Sequence, residues 1–395
     1  MNKRVSLVTA VALTAIAAFV WTGVSAGARS SAGALSPIII GVDTAKSGFQ
    51  AGFDEPGVAA AQIAANKFNK TGGILNHQIV FKYCDSKTDP ALTANCAVKL
   101  LAEGAHFLIE SCDYDIGGPG ARIAEKQGVV NFSLCAGSPK WNSIGPHSYS
   151  MTFGSPTEAY VDGQWAYSGK LHCQTGYLLV DQTIDYTKAV GTYIKASFKG
   201  KIVGEDIFKN SDTSFSGQVT KLQATSPKPQ CIFVDSFPPG GVTLVRQLRA
   251  AGINQPIVSP DGMDGNYWIS AVPTLSNFYY AGFVSIYGDD PNPAVNALVK
   301  QIAQATHAKV LSGSTGVCGY SIIEALRLAA QRANSIDNAA VNAQLQKFNK
   351  VPLLVGPTTF TKTDRQSLGR SMRIIQVQNG KFSFLTLFQP TGVHA

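Results

Sequence analysis

Hydrophobic and polar positions alternate along this chain in a repeating order of strand, then helix. The run Pro37-Ile38-Ile39-Ile40-Gly41-Val42-Asp43 is apolar on both faces, as a buried strand requires. A helical stretch follows, with Asp54 as its expected cap, Glu55 and Pro56 in its first turn, and Ala59, Ile63 and Phe68 on one face. It ends at Asn69-Lys70-Thr71-Gly72-Gly73. Residues Gln78 to Tyr83 alternate as a half-buried strand and lead into the acidic turn Cys84 to Pro90. Asp89-Pro90 caps and starts a second helix, which Gly104 stops. The strand Phe107-Leu108-Ile109 comes next, then an expected Gly-rich turn, Gly117-Gly118-Pro119-Gly120, and a helix through Lys126. Val129 to Ser133 forms another strand, ending in the loop Cys135 to Pro139.

A second alternating set begins near Ser155. Its expected strands are Tyr177 to Asp181, Ile202 to Gly204, Cys231 to Asp235 and Ile257 to Ser259. Its expected helices are Tyr160–Tyr167, Tyr186–Phe198, a helix capped by Asp212 to Ser214 and running through Leu222, and Val242–Ala251. Repeated βα units with short connections predict parallel sheets covered by helices on both faces. The C-terminal part differs. Helices are expected over Pro293–Lys309, Gly316–Ala333 and Asp337–Phe348. A hairpin then turns at Asn379-Gly380 between the alternating runs Arg373–Gln378 and Lys381–Leu385.

At 395 residues the chain has room for two to three domains. Its net charge of +8 comes from scattered Lys and Arg with no run of five, a solvated surface rather than a nucleic-acid footprint. The N-terminus carries the compartment signal. Lys3 and Arg4 precede the uncharged apolar run Val5–Val20, and small residues follow at Val24-Ser25-Ala26 and Ala26-Gly27-Ala28. This predicts a Sec-type signal peptide over residues 1–28 and export to the periplasm or cell surface, although Val5 to Ala26 is also long enough to anchor in a bilayer. Removal of Lys3 and Arg4 would lower the charge to +6. Seven cysteines suit an oxidising compartment, and their odd number leaves one unpaired within the chain. No CxxC pair, HExxH or HxxxH occurs, so no metal is expected.

An open α/β sheet binds its ligands at the loops beyond its strand C-termini. Here those loops are Ser111 to Asp115, Ser133 to Ser138, Gln182 to Tyr186, Asp235 to Pro239 and Asp261 to Gly265. No GxSxG elbow, phosphate loop or GxGxxG is present, which argues against a hydrolase, an NTPase or a dinucleotide enzyme. No enzymatic activity and no cofactor are expected.

The order of these marks resembles the branched-chain amino-acid-binding proteins of bacterial ABC importers over residues 37–388. The matching segments are Asn69 to Ile74, Cys84-Asp85 before a Pro-started helix, Cys112 at the next strand end, Ser133 to Pro139, Asp181 to Tyr186, Leu244 to Arg249, Ser259-Pro260-Asp261-Gly262 and Gly356-Pro357. The resemblance implies two Rossmann-like α/β lobes with mostly parallel sheets, joined by three hinge crossings near Ser155, Tyr287 and Gly356. One lobe would hold residues 36–154 and 286–355, the other 155–285 and 356–395. It also implies a monomer that captures a small polar molecule between closing lobes and delivers it to a membrane permease. A sensor of the same fold, signalling to a partner protein, is the alternative. By the same resemblance a ligand carboxylate would meet Asp113, Ser133, Ala136 and Gly137, and an ammonium would meet Asp261. Phe53, Tyr186 and Phe237 would flank the ligand's side chain, unless they are ordinary core residues. Asp113 departs from the pattern, because a small hydroxyl residue is expected there and an ionised Asp would repel a carboxylate. It either faces the ligand or turns away to cap a helix at Gly117, and Asp261 either binds or caps its turn. The resemblance further implies a Cys84–Cys112 disulfide. Cys173 with Cys231 is the expected second pair; Cys96, Cys135 and Cys318 are left unassigned.

Overall fold

The computed structural model describes residues 35–394, so the expected signal peptide lies outside the described residues. Strands β1 (Ile38–Thr44), β2 (Ile79–Asp85), β3 (Phe107–Glu110), β4 (Asn131–Ser133) and β5 (Ser148–Ser150) form a first sheet in the order β2-β1-β3-β4-β5. All its pairings are parallel. Strands β6 (Thr175–Asp181), β7 (Lys201–Phe208), β8 (Cys231–Asp235), β9 (Ile257–Ser259) and β10 (Phe278–Gly282) pair in parallel in a second sheet. After the small β11–β12 ribbon (Val351–Leu353, Gly356–Thr358), β13 (Met372–Gln378) and β14 (Lys381–Phe388) extend the second sheet antiparallel, joined by the expected Asn379-Gly380 turn.

Ten helices accompany these strands among the described residues. They are α1 (Ala51–Asn69), α2 (Pro90–Ala102), α3 (Tyr114–Lys126), α4 (Ser155–Ser168), α5 (Asp185–Ser197), α6 (Ser216–Ala224), α7 (Gly240–Ala250), α8 (Pro293–Ala305), α9 (Cys318–Ala333) and α10 (Asn338–Leu345). The late helices α8 and α9 return to pack on α1 beside the first sheet, while α4 and α5 pack together beside the second. Gly319 lets α9 touch α1: a Cβ there would stand 1.8 Å from the Gly57 carbonyl oxygen. None of the described helices is long and apolar enough to cross a membrane.

Residues beyond Gly356 stay with the first sheet longer than expected. Phe360 packs its ring 5.0 Å from Tyr149, and the Gln366 amide donates to the carbonyls of Ala136 and Ser138. The chain joins the second sheet only at Met372.

Three helix starts differ from expectation. Asp54 does not cap α1, which begins three residues earlier. Its carboxylate instead accepts the N–H groups of Ala45 and Cys112 and the Ser111 hydroxyl, all outside its own helix. Gly117 to Gly120 is no turn but part of α3, which Asp113 caps from Oδ1. Glycine is needed there for close packing: a Cβ at Gly117 would lie 2.8 Å from the Ser111 oxygen, and one at Gly120 would lie 2.5 Å from a Glu110 carboxyl oxygen. Asp212 to Ser214 caps nothing, since α6 starts at Ser216 without a side-chain cap. Asp89 caps α2 as expected.

The cysteine pairing corrects one expectation. Cys84 is not bonded to Cys112. The disulfides are Cys84–Cys96, Cys112–Cys135 and Cys173–Cys231, with Cys318 free and buried. The strand order explains the difference. Cys84 lies near the end of β2 and Cys112 follows β3, with β1 between the two strands. Two strand spacings are about 9.5 Å, beyond the roughly 7 Å that a disulfide can bridge. Cys112 and Cys135 follow the neighbouring strands β3 and β4, with Cα atoms 4.4 Å apart. Cys84 finds Cys96 on α2, Cα to Cα 5.5 Å.

Candidate functional site

A cleft opens where the strand-end loops of the two sheets face each other. The first-sheet side supplies Phe49, Gln50 and Phe53 around the start of α1, the Cys112–Cys135 pair, Asp113 and Gly137. The second-sheet side supplies Ile184 and Tyr186 at the start of α5, Phe237 after β8, and Asp261 and Gly262 after β9. Thr315, just before α9, completes the wall.

Six of the eight residues expected at the site therefore line it: Phe53, Asp113, Gly137, Tyr186, Phe237 and Asp261. Ser133 and Ala136 do not. The Ser133 hydroxyl donates to the Ser111 carbonyl and accepts the N–H groups of Cys135 and Ala136, so it shapes the loop from behind. Phe49, Gln50, Ile184 and Thr315 were not foreseen. The Phe49–Phe53 spacing of four, one helical turn, was the available signal for the first.

Aromatic rings form much of the wall. Phe49 and Phe237 lie 5.6 Å apart between centroids, one from each side of the cleft. Tyr186 comes close to the Gly137 backbone: a Cβ on Gly137 would sit 2.9 Å from its ring.

The Tyr186 hydroxyl lies 2.5 Å from Asp261 Oδ1 and 2.6 Å from Glu158 Oε2, and it accepts the Gly262 N–H. Glu158, on α4, has no sequence mark that points to this role. A hydroxyl has one proton to donate, so three oxygens held this closely need a second shared proton. Burial, with the Asp261 charge next to it, pushes Glu158 well above the usual carboxylate range. Burial raises Asp261 to about 6, while its hydrogen bonds to Glu158 and Tyr186 restrain the rise. Behind these, Asp162 on α4 is also buried and raised by desolvation, then by the charges of Asp235 and Asp261.

Asp113 is both cap and wall. Burial pushes it up to about 7, and Asp115 adds to the rise, while the N–H groups of Ile116 and Asp115 oppose it. Among the described residues, no Lys, Arg or His lines the cleft.

The two sides are tied together around the cleft. Asp115 Oδ2 accepts the Asp185 N–H at 2.7 Å, at the start of α5. The Asp185 carboxylate accepts from the Ser138 hydroxyl and, at 2.5 Å, from Lys140 Nζ. Burial alone would raise Asp185, but Lys140 and Ser138 outweigh it and the group lies below the usual range. Opposite, Asp264 Oδ2 accepts the Ser314 N–H at 2.7 Å, joining the loop after β9 to the segment before α9.

Comparison with known proteins places this geometry. Residues 37–381 match the model of the periplasmic binding protein family. A Leu/Ile/Val-binding protein homolog of Brucella melitensis is 24% identical over 359 residues, covering 88% of this chain and 93% of its own. The Leu/Ile/Val-binding protein BraC3 of Rhizobium johnstonii is 23% identical over 333 residues, covering 82% and 88%. The same fold occurs in the branched-chain amino-acid transporter substrate-binding protein LivJ of Streptococcus pneumoniae, solved with isoleucine (TM-score 0.79, 21% identity, 90% of this chain and all of that one). It occurs also in an ABC-transporter solute-binding protein of Rhodopseudomonas palustris, solved with benzoate (TM-score 0.72, 18% identity, 90% and 97%). This chain belongs to the periplasmic binding protein family, with the type I fold and with Leu/Ile/Val-binding proteins among its relatives.

Proposed function

We propose that this protein is the extracytoplasmic solute-binding component of an ABC importer, which captures a small polar molecule between two lobes and presents it to a membrane permease. The observation that carries this reading is the cleft itself. Its walls come from strand-end loops of both sheets, so one ligand touching both holds the closed form together. Relatives named for Leu/Ile/Val binding, and neighbours holding isoleucine or benzoate, support a solute of that size.

The first lobe takes residues 36–154 and 286 to about 366, and the second the remainder of the described chain. We place the third crossing after Gln366 rather than near Gly356, because Phe360 packs on Tyr149 of β5 and Gln366 donates to the loop after β4. The contacts of Asp185 with Ser138, Lys140 and Asp115 act as the latch of the closed state.

A thermal-shift screen of the mature protein against amino acids, amides, amines, aromatic acids and sugars tests the reading. A ligand that binds only the folded chain raises the melting temperature by mass action. Silence across every class, from protein shown to be free of retained solute, sinks it. So does turnover of simple esters or amides.

A further inference from the structure

Among the described residues, the cleft presents two carboxyl groups and no Lys, Arg or His to neutralise them. Asp113 is 4% exposed and Asp261 8%, and both line the cavity. The two hydrogen bonds that the Asp113 side chain accepts both end on Oδ1. Among the described residues, no donor reaches its Oδ2. Acids buried on one cavity without a counter-charge are costly unless the partner arrives with the ligand.

Two of the places where an anion would bind are already taken. A helix N-terminus, with its free N–H groups and positive dipole end, is the ready seat for a ligand carboxylate. Three helices begin at this cleft; the chain's own carboxylates occupy the starts of α3 and α5, and Asp54 puts a further acid in the first turn of α1. Asp113 caps α3, and Asp115 reaches across to the first N–H of α5. Much of the remaining wall is aromatic, from Phe49, Phe53, Tyr186 and Phe237. Ring faces attract cations and offer nothing to an anion.

We infer that the solute is an organic cation without a free carboxylate, such as an amine or amino amide. Its positive group pairs with Asp113, a hydrogen-bond donor meets Asp261, and its apolar body lies among the rings. This rests on the solute-capture reading and narrows it. Zwitterionic α-amino acids and carboxylic acids are then poor ligands, although relatives in the family are named for such amino acids.

The test is isothermal titration of the mature protein, unfolded and refolded to strip retained solute, with matched pairs at neutral pH. The probes are leucinamide against leucine, benzamidine against benzoate, and 1,5-diaminopentane alone. At least one cation should bind, about tenfold or more tighter than its carboxylate counterpart, and Asp113→Asn should weaken it by about tenfold. Leucine or benzoate binding as tightly as its counterpart overturns the inference and leaves solute capture standing. If none of the five binds, the inference also fails. Mass spectrometry of whatever the protein carries from its cells then decides the capture reading: a retained carboxylate sustains it, and no retained solute removes it too.

Discussion

Asp113→Asn probes the electrostatics of the cleft without any ligand. Asn Oδ1 can accept the same two N–H groups that cap α3, and Asn caps helices as well as Asp does. What disappears is a buried charge. Burial, then the Asp115 charge, pushes Asp113 from an ordinary 3.8 to about 7, with a smaller push from Asp54. Asp261 and Tyr186 line the second-sheet side of the same cleft and bring no positive charge. Each pH unit is worth about 1.4 kcal/mol, so ionising Asp113 costs the folded protein about 4 kcal/mol at alkaline pH. Because the folded value lies above the unfolded one, the folded chain binds more protons between them. Stability from this group therefore falls as pH rises from about 4 to about 7 and is level above that. Between about pH 5 and pH 7.5 the loss is about 2–3 kcal/mol. Asp54 and Asp261, both raised to about 6, act in the same direction and remain in the variant, so the readout is the difference between the two proteins. Urea unfolding followed by tryptophan fluorescence should show the variant more stable by about 2–4 kcal/mol near pH 7.5, with the gap narrowing by about 2–3 kcal/mol towards pH 5. A gap that does not change with pH, or a variant less stable throughout, would refute the reasoning. The wild-type cleft would then not be holding an uncompensated charge.

Four further outcomes follow from the packing and the disulfides. Tyr186→Phe removes the hydroxyl between Glu158 and Asp261 and should cost about 2–3 kcal/mol above pH 6, less where both acids are protonated; an unchanged melting temperature at neutral pH would contradict the shared-proton arrangement. Non-reducing peptide mapping should find Cys84–Cys96, Cys112–Cys135 and Cys173–Cys231, and a peptide linking Cys84 to Cys112 would overturn the strand-order argument. Replacing Cys112 and Cys135 together by Ser should lower stability by about 3 kcal/mol in the chain-entropy model. Gly319→Ala should cost about 3 kcal/mol or more, because its Cβ would meet the Gly57 backbone, whereas Gly217→Ala on α6 has open space and should be neutral or slightly stabilising by denaturant titration.

Much of the architecture was legible along the chain because it is written over a few residues at a time. The apolar runs at β1, β6 and β8, the Asp89 cap of α2 and the Asn379-Gly380 turn each depend on neighbours within one helical turn or one hairpin. Parallel βα units place strand C-termini along one edge, so candidate residues chosen from those loops converged on one cleft. The misreadings share the opposite property. Gly117 to Gly120 looked like a turn, but the close approach of Ser111 and Glu110 made those glycines part of α3. Asp54 looked like a cap, but Ala45, Ser111 and Cys112 claimed its carboxylate. Cys84 looked like a partner for Cys112, but β1 lies between their strands. The sequence by itself determined most of the elements, their parallel order and the loops that meet at the cleft. Only the tertiary structure decided how the acids at that cleft are used. Whether Asp113 keeps its proton, and whether Asp115 reaches the start of α5 seventy residues away, depends on burial and on distances that no local pattern records.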